Sequence, residues 1–246
     1  MIVFLTSSPT GPLDNSRVVD GIDDKNSFAE NLRRYWNGEL KALYITAMPS
    51  EPEINEEIRR GMTETFTRRG FCFNCFDIWD DRTEDYSEKV LHSYDLIILG
   101  GGHVPTQNAF FQKIGLREKI QGFGGVIIGI SAGTMNSADV VYAQPELEGE
   151  AVNPEYQRYL TGLNLTRIQV LPHYQMIKNF KLDGLRVFED ITYADSVGKA
   201  FVALPDGSYI LGKNGTETIW GEAYLIKDGE ILQICREEEQ VVLDGV

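Results

Sequence analysis

Three features of the sequence predict an α/β fold with a doubly wound, mostly parallel sheet and an antiparallel extension at its C-terminal end. Short apolar segments alternate with amphipathic segments through the first 130 residues, which is the pattern of consecutive βαβ units. Two of the apolar segments run directly into glycine-rich turns, at residues 100–102 and 129–133. Beyond Lys199, β-rich segments are separated by turn dipeptides such as Asn214-Gly215 and Asp228-Gly229, which are typical of hairpins.

The first half of the chain contains five predicted strands, each a short segment rich in β-branched, aromatic or leucine residues. They are residues 2–5, 40–47, 71–79, 95–99 and 126–128. The predicted helices are residues 27–36, 52–69, 87–92, 106–121 with a break at Gly115, and 132–140. Ser27 and Glu30 have the spacing of a capping box. Residues 6–25 predict a long polar loop, a kind of loop that is often functional.

The second half is less regular in its pattern. It predicts a polar stretch at 142–159, one or two short strands within 163–171 and a helix at 180–190. Strands follow at 199–204, 208–213, 217–226 and 230–234, and we expect this meander to be antiparallel and to extend the same sheet. Since no linker and no internal repeat interrupts the chain, we expect one domain over residues 1–246.

The composition argues against several classes of protein. The chain of 246 residues carries 23 lysines and arginines against 37 aspartates and glutamates, a formal net charge of −14, whereas nucleic-acid binding requires a basic surface. No apolar run approaches the roughly 20 residues that span a bilayer, and the N-terminus lacks the pattern of a secretory signal. We therefore expect a cytoplasmic protein that binds neither nucleic acid nor a membrane.

The three cysteines predict neither a metal site nor a redox site. Cys72 and Cys75 form a C-x-x-C pattern, and Cys235 is distant in the sequence. A structural zinc needs about four ligands, and no second pair is present. A redox pair belongs at the start of a helix, whereas residues 71–79 predict a strand. We expect packed, reduced thiols and no cofactor.

The stretch Gly129-Ile130-Ser131-Ala132-Gly133 matches the G-x-S-x-G pattern of a nucleophile elbow. A predicted strand precedes it, and small residues that can continue as a helix follow it. In that setting a serine occupies a sharp turn, where only small neighbours allow the backbone to double back. The pattern predicts that Ser131 is a nucleophile at the C-terminal end of a strand.

A serine hydroxyl needs a base within hydrogen-bonding reach, and the chain has only three histidines. His92 lies in a charged connection and is expected at the surface. His103 follows the glycine turn and can face the site. His173 follows an apolar strand and Pro172, where a base would be presented to the elbow, so we predict that His173 is the base.

The base in turn needs an orienting acid, and the hydroxyl attack needs donors for the oxyanion. Asp206 follows a predicted strand, and Glu146 lies in the loop after the elbow. Spacing alone leaves both acids open. The predicted oxyanion donors are the N–H of Ala132 and an N–H of the glycine turn, at Gly102.

Taken in order along nearly the whole chain, these motifs resemble the dipeptidase E and cyanophycinase family of serine peptidases, peptidase family S51. The matching segments are Phe4-Leu5-Thr6-Ser7-Ser8, Leu99-Gly100-Gly101-Gly102, Gly129-Ile130-Ser131-Ala132-Gly133, Leu163-Asn164-Leu165 with Pro172-His173-Tyr174, and Ala203-Leu204-Pro205-Asp206-Gly207. The resemblance implies a flavodoxin-like fold similar to class I glutamine amidotransferases. Those amidotransferases have a cysteine at the elbow and a His-x-Glu base, where this chain has Ser131 and His173-Tyr174-Gln175.

The resemblance also implies roles for individual residues. Ser131 would be the nucleophile and His173 its base, with Asp206 as the acid and Glu146 as the alternative. The elbow is followed by Thr134 in place of the alanine usual in the family. In aspartyl dipeptidases of the family an arginine binds the substrate aspartate, and Leu185 occupies that position here.

Arg186, beside Leu185, is expected to contact the substrate together with Gly101 and His103. The expected activity is hydrolysis of small peptides by a dipeptidase or aminopeptidase-like enzyme, with aspartyl or other acidic substrates among the candidates. The alternative is a non-catalytic or differently acting small-molecule binding protein with the amidotransferase-like fold. We expect a small peptide as the partner and a monomer or homodimer.

Overall fold

The computed structural model describes residues 1–10, 21–84 and 86–243. Its strands, in chain order, are β1 (Ile2–Thr6), β2 (Leu40–Ile45), β3 (Phe73–Trp79), β4 (Leu96–Leu99), β5 (Val126–Ile130), β6 (Val140–Tyr142), β7 (Tyr159–Thr161), β8 (Gln169–Leu171), β9 (Lys181–Leu182), β10 (Leu185–Arg186), β11 (Ala200–Ala203), β12 (Tyr209–Lys213), β13 (Thr216–Trp220), β14 (Ala223–Lys227), β15 (Glu230–Cys235) and β16 (Gln240–Val242). Its α-helices are α1 (Phe28–Arg33), α2 (Pro52–Arg68), α3 (Glu88–Leu91), α4 (Val104–Lys113), α5 (Leu116–Lys119), α6 (Ala132–Asn136), α7 (Tyr174–Ile177) and α8 (Tyr193–Asp195).

The central sheet has eight strands in the order β16-β13-β12-β1-β5-β4-β2-β3. The five strands from β1 to β3 in this order are mutually parallel. The three strands on the other side of β1 are antiparallel, each to its neighbour. The mostly parallel sheet with an antiparallel C-terminal extension that the sequence predicts is therefore confirmed. The five predicted strands of the first half are β1 to β5.

Helices cover both faces of this sheet, as a doubly wound fold requires. Alternate residues of a strand point to opposite faces, so in β4 Ile97 belongs to one buried cluster and Ile98 to the other. The first cluster contains Phe111 of α4, and the second contains Phe28 of α1 and Phe66 of α2. Burial of each of these aromatic side chains contributes about 1.5–3 kcal/mol to stability.

Part of the predicted C-terminal meander forms a second sheet. Residues 217–226, predicted as one strand, are two: β13 pairs in the central sheet, and β14 joins a four-stranded sheet in the order β15-β14-β11-β8. The chain changes sheets at Gly221, which has φ of +91° and whose N–H donates to the carbonyl of Glu239. A side chain there would collide with Asn26. The expectation that the whole meander extends one sheet is wrong, because β11, β14 and β15 belong to the second sheet.

The predicted helix at 180–190 is also wrong. The segment is a small hairpin of β9 and β10 followed by a π-helical stretch, Val187–Thr192. The turn residues Asp183 and Gly184 both have positive φ, 53° and 83°. That is the conformation of a two-residue type I′ hairpin turn, for which Asp-Gly is a preferred sequence. The turn chemistry outweighs the helical spacing of the apolar residues.

Helix boundaries differ from the predictions by a few residues. The Ser27 side chain makes no capping hydrogen bond, because Ser27 itself has φ of 60° and lies outside the usual N-cap geometry, so the capping box is wrong. The predicted break at Gly115 is confirmed and has φ of 60°. The helix after Ser131 ends at Asn136, four residues before the predicted end. Half of the predicted loop at 6–25, residues 11–20, lies outside the described residues.

The parallel strands β1, β4 and β5 bring three turns to one edge of the sheet. Thr6 pairs with Ile130 and Leu99 with Gly129, so the residues that follow these strands are neighbours. In doubly wound sheets, binding sites lie beyond this carboxyl edge. No helix within the described residues has the length and apolar character needed to cross a membrane.

Candidate active site

Ser131 lies on the sharp turn between β5 and α6, with φ of 51° and ψ of −110°. A side chain at Gly133 would collide with the carbonyl oxygen of Leu99, and one at Gly129 would come within 2.9 Å of the Thr134 backbone. Both glycines of the motif are thus required by close backbone contacts. The positive φ of Ser131 costs a non-glycine residue about 1–3 kcal/mol, and it directs the Ser131 side chain outward from the carboxyl edge of the sheet.

The elbow is fixed to the end of β1 by a shared acceptor. The carbonyl oxygen of Thr6 accepts from the Ser131 N–H at 3.1 Å and from the Thr134 hydroxyl at 2.8 Å. The Thr6 hydroxyl in turn donates to the carbonyl of Gly129 at 2.8 Å. Thr134, the residue that departs from the resembled pattern, therefore has a structural effect here: it adds a buried hydrogen bond that positions the turn.

His173 connects Ser131 to Asp206. Its Nε2 lies 2.8 Å from Ser131 Oγ, and its Nδ1 lies 2.7 Å from Asp206 Oδ1. An ionised carboxylate can only accept, so Nδ1 carries the proton, and in the neutral ring Nε2 accepts from the serine hydroxyl. His173 follows β8 and Pro172 and has φ of 58°, which turns its ring back toward the elbow.

Asp206 is only 4% exposed, and its carboxylate has three donors. Ser7 Oγ donates to Oδ1 at 2.6 Å, His173 Nδ1 donates to the same oxygen, and Gln175 Nε2 donates to Oδ2 at 2.6 Å. Burial acts to raise the pKa of Asp206, but the hydrogen bonds from His173, Ser7 and Gln175 outweigh it, and the pKa lies below its ordinary value. The carboxylate is thus favoured in its charged form.

Sequence reasoning did not identify Ser7 and Gln175 as site residues. Ser7 Oγ also accepts from the His173 backbone N–H at 2.8 Å, and Gln175 Oε1 accepts from the Asp206 N–H at 3.0 Å. Their positions carried a usable signal. Ser7 directly follows β1 at the carboxyl edge, and Gln175 lies two residues after the predicted base, where the amidotransferases have a glutamate.

The glycine turn after β4 lies against the elbow. A side chain at Gly101 would come within 3.4 Å of Ser131 Cβ, and one at Gly102, with φ of 150°, would collide with Ala47. The N–H groups of Gly102 and Ala132 donate to no protein acceptor within the described part of the chain. Two donors without an acceptor among the described residues thus lie beside Ser131, and their role toward an oxyanion stays a prediction.

The carboxyl group of Glu146 makes no hydrogen bond to His173 among those of the described residues. Its Oε1 accepts from the Val104 N–H at 3.0 Å, at the start of α4. The residue as a whole is exposed, but its carboxyl group lies in a cavity beside the elbow, and burial there raises its pKa. The structure therefore joins His173 to Asp206 and leaves Glu146 on the cavity wall.

The loop that carries Glu146 is held by other carboxylates. Glu150 Oε2 accepts from the N–H groups of Glu146 and Leu147, and Glu150 Oε1 lies 2.8 Å from His103 Nε2. Asp183 accepts from two further N–H groups of the loop. His103, predicted to contact the substrate, thus anchors this loop and does not line the cavity.

Arg186 is not brought to the site. Its side chain is 54% exposed and pairs with Asp190, with Nη2 2.5 Å from Oδ1, and these hydrogen bonds lower the pKa of Asp190 to about 2. Its neighbour Val187 lines the cavity in its place. Arg186 is the last residue of the β9–β10 hairpin, and Asp190 also accepts from its backbone N–H at 2.8 Å.

The cavity beside Ser131 and His173 has a volume of about 90 Å³. Its wall is mostly apolar, with two polar side chains besides the serine and the histidine. The remaining lining residues are Gly102, Val104, Met135, Gln144, Pro145, Glu146, Pro172, Ile177, Phe180 and Val187. Among the described residues, no group of three or more His, Cys, Asp or Glu side chains is arranged to hold a metal ion.

Comparison with known proteins assigns the family. The family model described as "Peptidase family S51" matches residues 24–220. The chain belongs to peptidase family S51. As a member of that family it is a serine peptidase, which confirms the resemblance seen in the sequence. The comparison with curated protein sequences finds no match.

A similar fold is found in a crystal structure from Listeria monocytogenes EGD-e of a protein provisionally named peptidase E. It superposes with a TM-score of 0.52 at 18% sequence identity, over 94% of this chain and 96% of that one. At this identity the likeness concerns the fold.

Proposed function

We propose that this S51 peptidase cleaves short peptides by acyl transfer to Ser131, with His173 as the base and Asp206 as the acid that orients it. The observation that carries the proposal is the continuous set of contacts from Ser131 Oγ through both ring nitrogens of His173 to Asp206, at 2.8 and 2.7 Å. These distances lie within the range over which a base takes a proton from a serine hydroxyl.

The reaction follows from these positions. Ser131 Oγ attacks the peptide carbonyl carbon while His173 Nε2 takes the hydroxyl proton, and the N–H groups of Gly102 and Ala132 donate to the oxyanion that forms. His173 then returns the proton to the amine, the carbon–nitrogen bond breaks, and an acyl-serine remains. Water, deprotonated by the same imidazole, releases the acid and restores the serine.

Asp206 is favoured over Glu146 as the acid because its carboxylate accepts the proton on Nδ1. That contact selects the imidazole tautomer that leaves Nε2 free to accept. The raised pKa of Glu146 and its hydrogen bond to the Val104 N–H fit a residue of the cavity wall.

The strained turn favours an enzyme over a binding protein with the same fold. Ser131 adopts a positive φ that costs stability, and its hydroxyl points to an imidazole whose second nitrogen already has an acid. A binding site would need neither feature. The cavity of about 90 Å³ suits one side chain of a short peptide.

Labelling with a fluorophosphonate and hydrolysis of a dipeptide library test the proposal together. Ser131→Ala should abolish both, while the matched control Ser93→Ala, an exposed serine in the turn before β4, should keep both. Hydrolysis that persists in purified Ser131→Ala would refute the serine mechanism. The single domain over residues 1–246, the cytoplasmic location and the monomeric or homodimeric state stay predictions.

A further inference from the structure

We infer that the cavity beside Ser131 binds a small apolar side chain of the residue that donates the acyl group, and that Glu146 excludes an acidic one. The inference deepens the proposed function and rests on it, because the cavity is a substrate site only if Ser131 is the nucleophile.

The wall of the cavity is mostly apolar. Among the described residues, seven lining side chains are apolar: Val104, Met135, Pro145, Pro172, Ile177, Phe180 and Val187. Phe180 is 44% exposed although it borders the cavity, so part of its ring is left in contact with water. An apolar substrate side chain would cover that surface and gain the free energy of its burial. An ionised side chain would lose its hydration there without a partner.

The size of the cavity limits the side chain that it can hold. A cavity of roughly 150 Å³ holds one benzene molecule, and this cavity measures about 90 Å³. Side chains of the size of alanine or valine fit within it. A phenylalanine ring does not, unless Phe180 or another wall residue moves.

The charge of the wall also bears on which side chain the cavity accepts. Within the part of the wall that the structure describes, Glu146 is the only lining residue that is an acid, and no lining residue is a lysine or an arginine. Glu146 is fixed in place because its Oε1 accepts from the Val104 N–H at 3.0 Å. Its pKa is raised by burial and by the nearby Glu150, so the site already disfavours one negative charge. A second carboxylate would be repelled.

The arginine next to the lining residue Val187 does not compensate the charge of Glu146. Arg186 precedes Val187, but its guanidinium is paired with Asp190 and is 54% exposed. His103 Nε2 lies 2.8 Å from Glu150 Oε1. Both side chains thus already have acidic partners of their own.

The test compares anilides of alanine, valine, phenylalanine, asparagine and aspartate. Asparagine and aspartate have nearly the same shape, so the ratio of their kcat/KM values measures the effect of charge. The ratio within one variant also cancels any general loss of activity. The variants are Glu146→Gln, which keeps the oxygen that accepts from Val104, and the matched control Glu148→Gln, an exposed glutamate of the same loop.

The wild-type enzyme should cleave the alanine and valine anilides best and should prefer asparagine to aspartate by roughly 10- to 100-fold at low salt. Added salt should narrow that ratio because it screens the repulsion. Glu146→Gln should also narrow it, and Glu148→Gln should leave it unchanged. If no anilide is cleaved, protection of Ser131 from the fluorophosphonate by the corresponding amino-acid amides gives the same ranking.

Equal or better use of aspartate by the wild type, or an unchanged ratio in folded Glu146→Gln, would overturn the inference. If Glu146→Gln fails to fold, the salt dependence of the wild type decides. The proposed function fails separately: hydrolysis in Ser131→Ala refutes the serine mechanism, whereas an inactive Ser131→Ala with a wild type that prefers aspartate refutes this inference alone.

Discussion

Replacing Asp206 by asparagine tests the orientation of the base, because it removes the charge and keeps the size of the side chain. The carboxylate accepts from Ser7 and His173 at Oδ1 and from Gln175 at Oδ2. An asparagine amide facing Ser7 and His173 would place its NH2 against two donors. The opposite orientation would place it against the Gln175 amide, which cannot turn round without losing its bond from the N–H of residue 206.

Asp206→Asn therefore either leaves a buried donor facing another donor or is satisfied only when the His173 proton moves from Nδ1 to Nε2. An unsatisfied buried group costs about 1–3 kcal/mol, and for a chain of this size each kcal/mol lowers Tm by about 2–4 °C. The loss of activity should be much larger. In a serine–histidine–aspartate site this change favours the wrong imidazole tautomer and lowers kcat on the order of 10⁴.

The assay compares kcat and Tm of Asp206→Asn and Glu146→Gln on one alanine anilide. We expect Asp206→Asn to lose roughly 10³–10⁴ in kcat and Glu146→Gln to lose less than about tenfold, because Glu146 makes no bond to the imidazole. A severely impaired Glu146→Gln beside a nearly normal Asp206→Asn would refute the reasoning. It would make the loop after the elbow the source of the acid.

Further predictions concern the support of the site. Ser7→Ala removes an acceptor from the His173 N–H and a donor from Asp206, so kcat should fall by roughly 10- to 100-fold in steady-state assays, and a normal kcat would contradict the positioning role. Thr134→Ala should lower the free energy of unfolding by about 1 kcal/mol in urea titrations, and a larger loss would mean that more than one hydrogen bond is involved. Gly133→Ala should destabilise by at least about 3 kcal/mol, because the new methyl group meets the Leu99 carbonyl; soluble protein of normal Tm would be inconsistent with this contact. Folding lowers the pKa of Asp206, so the stability that its carboxylate contributes is complete above the ordinary pKa of 3.8 and is lost as the pH falls through the pKa of the folded protein. The urea midpoints of wild type and Asp206→Asn should therefore converge at pH values below the folded pKa, and a difference that stays constant with pH would argue against the shift.

The parallel half of the fold is predictable because its signals are local. The buried strands are continuous apolar runs, and glycine marks the ends of helices, as at Gly70 and Gly115. The division of residues 217–226 between two sheets does not follow from the sequence of that segment alone. It depends on Gly221 lying against Asn26, which is almost 200 residues earlier in the chain. The Asp183-Gly184 dipeptide is itself a hairpin signal, but the apolar residues around it have helical spacing and favour a helix.

Ser131, His173 and Asp206, which hydrogen bonds connect, were predictable for a different reason. Ser131, His173 and Asp206 each follow a predicted strand, and the carboxyl ends of such strands meet at one edge. The partners of Asp206 were less accessible to sequence reasoning, because a serine and a glutamine have no distinctive pattern. The contact of Arg186 with the substrate stays a prediction, and the pairing of its side chain with Asp190 is not evident from the sequence.

The geometry of His173 also bears on what Glu146 can do. An imidazole has two nitrogens, and here Ser131 and Asp206 lie within 2.8 Å of one each. Glu146 could orient the ring only by displacing Asp206, whose carboxylate would then lose a hydrogen bond in a buried position. A carboxylate that lines the same cavity but has no nitrogen to accept from is left to act on the substrate. Its charge, set among apolar walls, then discriminates between substrate side chains, and the aspartate-to-asparagine ratio measures that discrimination directly.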